Sequence, residues 1–282
     1  MYPRPFDYVA PATLDEAVSA LAGADSAKVL AGGMSLLPLM KMRLFSPELL
    51  VDIGRIPGLD RIEDGGDHVS LGALVRHRQT AESGLVPDAL RSAAAYTGDA
   101  QIRNRGTTCG SVAHADIAAD QPAAILALGA TMVAQGPAGT REIAADDFFV
   151  DALTSALEPD EILTEIRIPR RAGATAYEKL GRRGGHTDYA VAGAAAWVSR
   201  SNGSIGDCRV AITGVGTKAT LAVGVAEALI GTDGSDAAVA AAAERALEGL
   251  TVLEDLYGSE EYKSHLAKVM TRRALTEAIR SA

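Results

Sequence analysis

Two glycine-rich segments in the first half of the chain have the composition of anion-binding loops. The first glycine loop, Ala31–Ser35, contains Gly32 and Gly33, and the second glycine loop, Gly106–Ser111, adds three hydroxyls and one thiol. Glycine lacks a β-carbon, so the main chain can approach a ligand closely, and successive N–H groups favour an anion such as a pyrophosphate. Either segment alone is more typical of a structural turn or loop, so its interpretation depends on the rest of the chain.

Other nucleotide-binding signatures are missing or incomplete. No Gly-x-x-x-x-Gly-Lys-Ser/Thr pattern occurs, which argues against a nucleoside triphosphatase. The segment Gly214–Ala219 satisfies the looser dinucleotide fingerprint, but a true unit requires another parallel strand with an acidic residue near its end. Here the chain continues into more helix, with Asp233 and Asp236 in a turn between helices. We therefore expect a tight turn rather than a nicotinamide site.

A metal site is also not expected. His114, Asp116 and Asp120 are close in sequence, but no helical or strand period brings their side chains together. We assign the two carboxylates to a turn and to helix capping, and a carboxylate there could also accept hydrogen bonds from sugar hydroxyls. Cys109 and Cys208 are the only cysteines, too few for an ordinary iron–sulfur cluster. Any iron must belong to another chain, and we expect both thiols to be reduced.

Composition excludes several classes of protein. The 282 residues are 48% apolar, which is enough for a sizeable core divided into two or three lobes. The net charge of −9 argues against a nucleic-acid partner, and we assign the scattered basic residues to solvated faces. No segment approaches the roughly 20 apolar residues of a transmembrane helix, and no signal peptide is evident. The sequence therefore predicts a cytoplasmic protein without a transmembrane segment.

The elements around the glycine loops can be predicted from local patterns. Thr13 and Glu16 have capping-box spacing, which predicts a helix over 14–22. A short strand over 28–31 breaks at the first glycine loop, before a helix that ends near Arg43. Further along, Asp120 or Gln121 can cap a helix that extends towards residue 129. Later strands are predicted near residues 49–53, 69–73, 133–134, 142–143 and 162–168.

Beyond about residue 172 the pattern changes. Two long strand-like segments, over 189–199 and 205–213, flank Ser201-Asn202-Gly203, which predicts a hairpin. Three helical segments rich in alanine and leucine follow. We expect an antiparallel sheet covered on one face by helices.

Four ordered segments resemble the medium subunits of the xanthine dehydrogenase and carbon monoxide dehydrogenase family. They extend over the length of the chain without large insertions, and four in order are far more specific than any one. Met34 occupies a position that is often polar in the family, and Thr108-Cys109 replaces an apolar residue and a glycine. The four segments are Ala31–Leu44, Gly98–Asp120, Tyr177–Arg183, and Ser259–Lys263 with its continuation to Arg272–Leu275.

The resemblance implies an α+β chain. A two-lobed FAD-binding domain of the vanillyl-alcohol-oxidase (PCMH) type would span 1–171, with lobes of about 1–57 and 58–171. A small C-terminal domain with an antiparallel sheet and helices would span 172–282.

The resemblance also implies which residues bind FAD. Both glycine loops would hold the pyrophosphate and extend along the flavin, Asp120 would bind FAD hydroxyls, and Leu163 would make an apolar contact. The full set is Leu30, Ala31, Gly32, Gly33, Met34, Ser35, Leu36, Thr107, Thr108, Cys109, Gly110, Ser111, Asp120, Leu163 and Lys179.

The implied partners carry the other cofactors. In this family a molybdenum large subunit with a molybdenum–pterin cofactor hydroxylates the substrate, and an iron–sulfur small subunit relays electrons through two [2Fe–2S] clusters. FAD on this chain would pass them to a terminal acceptor, with no catalytic residue here and a dimer of heterotrimers as the assembly. Two alternatives are a self-sufficient FAD-dependent dehydrogenase or oxidase and a non-catalytic assembly subunit that has lost flavin. The small C-terminal domain argues against the first, and intact Gly32, Gly33 and Gly110 argue against the second.

Overall fold

The computed structural model describes residues 1–282, and its first lobe is a small parallel sheet with two helices. The elements are β1 (Asp7–Val9), α1 (Leu14–Ala22), β2 (Ala27–Leu30), α2 (Leu36–Met42) and β3 (Leu49–Asp52). The strands lie in the order β1-β3-β2. Helix α1 has its predicted bounds, because the Thr13 hydroxyl accepts a hydrogen bond from the Glu16 N–H at 3.3 Å. The first glycine loop leaves the carboxyl end of β2 and leads into α2.

The second lobe is a five-stranded antiparallel sheet packed against helices. Its elements are β4 (Ile62–Asp64), β5 (His68–Gly72), α3 (His77–Glu82), α4 (Asp88–Tyr96), α5 (Ala100–Arg105), α6 (Thr108–His114), α7 (Asp120–Leu128), β6 (Thr131–Gly136), β7 (Gly139–Ala144), α8 (Ala145–Phe148), β8 (Phe149–Asp151), β9 (Thr154–Ser155) and β10 (Ile162–Pro169). The sheet order is β4-β5-β10-β6-β7. The strands predicted near 133–134 and 142–143 are present as β6 and β7, which pair as an antiparallel hairpin, and β10 ends at Pro169 as expected.

The third lobe contains β11 (Ala174–Gly181), β12 (Ala190–Ser201), β13 (Ser204–Thr213), β14 (Thr220–Leu221), α9 (Val223–Leu229), α10 (Asp236–Glu244) and α11 (Glu260–Ser281). Its strands form an antiparallel sheet in this sequence order. The predicted hairpin around Asn202 is confirmed. The segment Gly214–Ala219 is a turn that leads to the antiparallel strand β14, as expected for a tight turn and not for a dinucleotide site.

The expectation that helices cover one face of this sheet is wrong, because both faces are covered. Ala194 and Ala196 pack with α11, whereas Ala195 and Ala211 belong to the core that contains α4 and α7 of the second lobe. A strand buried on both faces loses the alternation of apolar and polar residues. This explains why alanine is nearly continuous in β12. The small alanine side chain allows helices to approach the strand from both sides.

Two further observations bear on the sequence analysis. Cys109 and Cys208 are free thiols in two different core clusters. No helix combines the length and the apolar character needed to span a bilayer.

Candidate functional site

The two glycine loops lie directly against each other. A β-carbon built on Gly32 would lie 2.7 Å from the Cα of Gly106 and would also overlap the main-chain oxygen of Arg105. Gly32 is buried, and nothing larger than hydrogen fits at this contact. The structure therefore brings together two segments that are more than 70 positions apart in the sequence.

The first glycine loop presents main-chain donors that the chain does not use. None of the N–H groups of residues 32–35 has an acceptor in the protein. Gly33 has a φ of +72°, and Ser35 precedes α2 without capping it through its side chain. Successive donors around a residue of positive φ form a concave anion site. Unpaired main-chain donors of this kind fit a pyrophosphate, which would satisfy several of them at once.

The second glycine loop is more ordered than expected, since residues 108–114 form α6. The Thr107 hydroxyl caps this helix by accepting a hydrogen bond from the Gly110 N–H at 3.1 Å. Thr108 bonds Thr80 through their hydroxyls, and the Cys109 thiol points to main-chain oxygens of β5. Burial raises the pKa of the Cys109 thiol. The side chains of Thr108 and Cys109 therefore belong to the core, and a ligand would contact only their main chain.

Three arginines lie near the second glycine loop, and sequence reasoning missed them. The Arg76 guanidinium donates to the main-chain oxygen of Arg105, and Arg103 donates to the Gly98 oxygen at 2.7 Å. None of Arg76, Arg103 and Arg105 forms a salt bridge. Composition alone assigns basic residues to solvated faces, whereas the positions of Arg103 and Arg105 just before Gly106 could have drawn attention to these two. Three arginines without a salt bridge, in a chain of net charge −9, fit an anionic ligand.

Asp120 and Lys179 form a buried ion pair beneath the loops. The Asp120 carboxylate accepts from the Lys179 ammonium at 2.7 Å and from the Tyr177 hydroxyl at 2.6 Å, and the exposed fractions of the two charged side chains are 5% and 0%. Burial raises the pKa of Asp120, while Lys179, Tyr177 and Thr97 act in the opposite direction. We regard the carboxyl as ionised, because the Lys179 ammonium and the Tyr177 hydroxyl both donate to it.

This geometry corrects the assignment of Asp120 as a helix cap. Ala119 occupies the N-cap position of α7 and makes no side-chain bond, whereas Asp120 begins the helix and turns towards Lys179. The three protons of Lys179 also have three acceptors, namely Asp120, the Tyr96 oxygen at 3.1 Å and the Asp188 oxygen at 2.7 Å. Contacts of Asp120 and Lys179 with FAD stay predictions.

A hydrogen-bonded chain connects the second glycine loop to this ion pair. The Ser111 hydroxyl donates to the Gln121 side-chain oxygen at 2.8 Å, and the Gln121 amide donates to the Thr97 hydroxyl at 2.6 Å. Thr97 in turn lies 3.4 Å from the Asp120 carboxylate. Leu163 lies apart from this network, buried in β10 within the second-lobe core.

The remaining candidates form no second site. No group of three or more His, Cys, Asp or Glu side chains is arranged to hold a metal ion. Asp116 accepts from the Ala118 N–H at 2.8 Å, as expected for a turn residue. A cavity of about 330 Å³ lies between the ends of β10 and β11, near Trp197 and away from the glycine loops. We place the ligand site at the loops, because the unpaired donors and the unpaired arginines are there.

Comparison with known proteins decides the family. Residues 4–171 match the family model described as the FAD binding domain in molybdopterin dehydrogenase, and residues 175–278 match the CO dehydrogenase flavoprotein C-terminal domain. The chain belongs to this flavoprotein family. It is therefore an FAD-binding medium subunit of the molybdenum hydroxylase type, an oxidoreductase subunit, as the resemblance in the sequence indicated.

Relatives of this flavoprotein match over nearly their whole length. The carbon monoxide dehydrogenase medium chain of Hydrogenophaga pseudoflava is 41% identical, over 99% of this chain and 98% of its own. The nicotine 6-hydroxylase medium subunit of Paenarthrobacter nicotinovorans is 37% identical, over 96% of both chains. A chain of quinoline 2-oxidoreductase from Pseudomonas putida 86 superimposes with a TM-score of 0.94 at 35% identity, covering 100% of this chain and 99% of its own. The fold of the flavoprotein is thus the expected FAD-binding domain followed by an antiparallel sheet with helices.

The cap of α6 gives the first testable prediction for this flavoprotein. We expect Thr107→Ala to lower the free energy of unfolding of the flavin-free chain by about 1 kcal/mol, because the Gly110 N–H loses its acceptor. Thr107→Ser keeps the hydroxyl and should be nearly neutral. Urea denaturation followed by circular dichroism measures both changes. Equal losses in the two variants would contradict the capping role.

Proposed function

We propose that this chain holds one FAD at the contact between its two glycine loops and passes electrons from an iron–sulfur partner to a terminal acceptor. The observation that carries this proposal is the set of unpaired N–H groups of residues 32–35, together with three arginines near the second glycine loop that form no salt bridge. FAD, when bound, would supply the conversion between single electrons and electron pairs.

The task of the chain's own residues is to bind and orient the cofactor. Main-chain N–H groups of the first glycine loop would bind the pyrophosphate, and the arginines Arg76, Arg103 and Arg105 would balance its charge. The second glycine loop would extend along the flavin, with Ser111 held in position by Gln121. The further contacts proposed for Leu30, Leu36, Asp120, Leu163 and Lys179 follow from the resemblance. We also propose domains of 1–171 and 172–282 on the same basis.

The division of labour among subunits is part of the proposal. Relatives are named as medium chains or medium subunits, and one related structure is of a carbon monoxide dehydrogenase lacking the Mo-pyranopterin moiety of the molybdenum cofactor. We propose a molybdenum large subunit and a [2Fe–2S] small subunit as partners, assembled as a dimer of heterotrimers. Substrate hydroxylation would then take place on the large subunit, and no side chain of this chain would act as its acid or base.

The experiment compares the isolated chain with the whole complex. We expect the purified chain to contain one FAD and no iron or molybdenum, and to be reduced by dithionite but not by any substrate that the complex oxidises. Activity should return when both partner subunits are added. In a complex depleted of FAD, substrate should still bleach the iron–sulfur absorbance while turnover with the physiological acceptor stops.

Two results would reject the proposal. Stoichiometric iron in the isolated chain would contradict the assignment of the clusters to a partner. Reduction of flavin by substrate on the isolated chain, at the rate of the complex, would show a self-sufficient flavoenzyme.

A further inference from the structure

His77 is a buried histidine whose ring lies against the second glycine loop. It begins α3, is 4% exposed, and donates its main-chain N–H to the Gly106 oxygen at 3.0 Å. A β-carbon on Gly106 would lie 2.8 Å from the ring Cδ2 and 3.0 Å from Nε2. The Nε2 edge of the ring therefore faces the residue that contacts Gly32.

Gln121 fixes which ring nitrogen carries the proton. Thr97 donates its single hydroxyl proton to the Ala93 oxygen at 2.8 Å, so it can only accept from Gln121 at 2.6 Å. The nitrogen end of the Gln121 amide thus points towards Thr97, and it also lies 3.2 Å from His77 Nδ1. Because this amide nitrogen is a donor, Nδ1 must accept, and the ring proton resides on Nε2.

The resulting Nε2–H group has no acceptor in the chain. The single hydrogen bond of the ring is the one at Nδ1. Burial, together with Arg103 and Arg76, lowers the pKa of His77 to about 4, so the ring is neutral near pH 7. Its proton is therefore free to be donated to a ligand beside the second glycine loop.

We infer that His77 is a further cofactor-binding residue, which donates from Nε2 to an oxygen of the FAD pyrophosphate in an orientation fixed by Gln121. This inference rests on the proposed function, since it requires FAD at the glycine loops. Arg76 and Arg103 lie close enough to affect the ring and lack carboxylate partners, which favours an anionic acceptor at this place. The contact would join α3 to both glycine loops through the ligand.

Two variants separate the donor from the rest of the ring. His77→Asn keeps an acceptor near the position of Nδ1 and removes the donor, whereas His77→Gln places an amide N–H near the position of Nε2. With the full chain freed of flavin, we expect His77→Asn to weaken FAD binding about tenfold or more and His77→Gln to restore it to within about threefold. The affinity for ADP, measured by its competition with FAD, should fall in parallel in His77→Asn. The affinity for riboflavin, which lacks phosphate, should not change.

Nitrogen NMR of the labelled ring tests the tautomer without any activity. We expect a protonated Nε2 and an unprotonated Nδ1 in the flavin-free chain, with the Nε2 proton moving downfield on addition of FAD. If His77→Asn binds FAD with the same affinity as the wild-type chain, this inference is overturned and the proposed function stands. A parallel loss for riboflavin would place the contact on the flavin and also overturn it. Failure of the wild-type chain to bind FAD would instead reject the proposed function.

Discussion

Replacement of Gly32 by alanine is expected to remove FAD from the chain. The added β-carbon would lie 2.7 Å from the Cα of Gly106, against the backbone of the second glycine loop, so the two loops must separate. Separation moves the N–H groups of residues 32–35 away from the arginines around Gly106. We expect FAD affinity to fall by at least about 100-fold, which corresponds to about 2.8 kcal/mol.

A matched glycine controls for the change of residue type. Gly84 has open space around its built β-carbon and no positive φ, so Gly84→Ala should leave flavin content unchanged. Flavin absorbance per chain and an equilibrium titration of the flavin-free chain measure both variants, and circular dichroism checks that each is folded. Full flavin content in Gly32→Ala would show that the contact between the loops is not needed for binding.

The second large effect is expected at Asp120. Asp120→Ala leaves the Lys179 ammonium buried without its counter-charge, and breaking a buried pair in this way destabilises a protein by about 3–5 kcal/mol. We expect this loss in the free energy of unfolding of the flavin-free chain, before any effect on the cofactor. An added loss of FAD affinity would then indicate the predicted contact with FAD hydroxyls, for which the carboxylate keeps free acceptor positions.

A double-mutant cycle tests the origin of this loss. Asp120→Asn combined with Lys179→Met removes both charges, so the double variant should be more stable than either single variant. The exposed pair of Arg78 and Glu82 provides the control, because Glu82→Ala removes a carboxylate that is in solvent and should change stability far less. Additive losses in the cycle would show that Asp120 and Lys179 do not stabilise each other.

Local patterns predicted the elements that local chemistry determines. The helix after Thr13 begins and ends as expected because its cap is made within four residues. The hairpin at Asn202 is confirmed for the same reason, since Asn202 and Gly203 supply the positive φ that the turn requires. The two glycine loops were recognised from residue type, and the structure places them in contact.

The features that sequence reasoning missed depend on distant partners. Helix α6 begins within the second glycine loop, although its Thr- and Gly-rich sequence does not favour a helix. It forms because the side chains of Thr108 and Cys109 are buried in the core. The ion pair of Asp120 with Lys179 and the contact of His77 with Gln121 join residues 59 and 44 positions apart. Polar groups so far apart in sequence leave no periodic pattern. The second face of the third-lobe sheet is covered by helices of another lobe, which the local sequence of the sheet does not indicate.

The position of Lys179 in the chain affects the order of events during synthesis. Asp120 precedes Lys179 by 59 residues, so at about 5–20 residues per second the ribosome adds the lysine about 3–12 s after the aspartate. During this interval α7 lacks both the counter-charge of Asp120 and the strands that cover its second face. The nascent first two lobes are therefore incomplete, and we expect FAD to be inserted only after the ribosome has completed the C-terminal sheet.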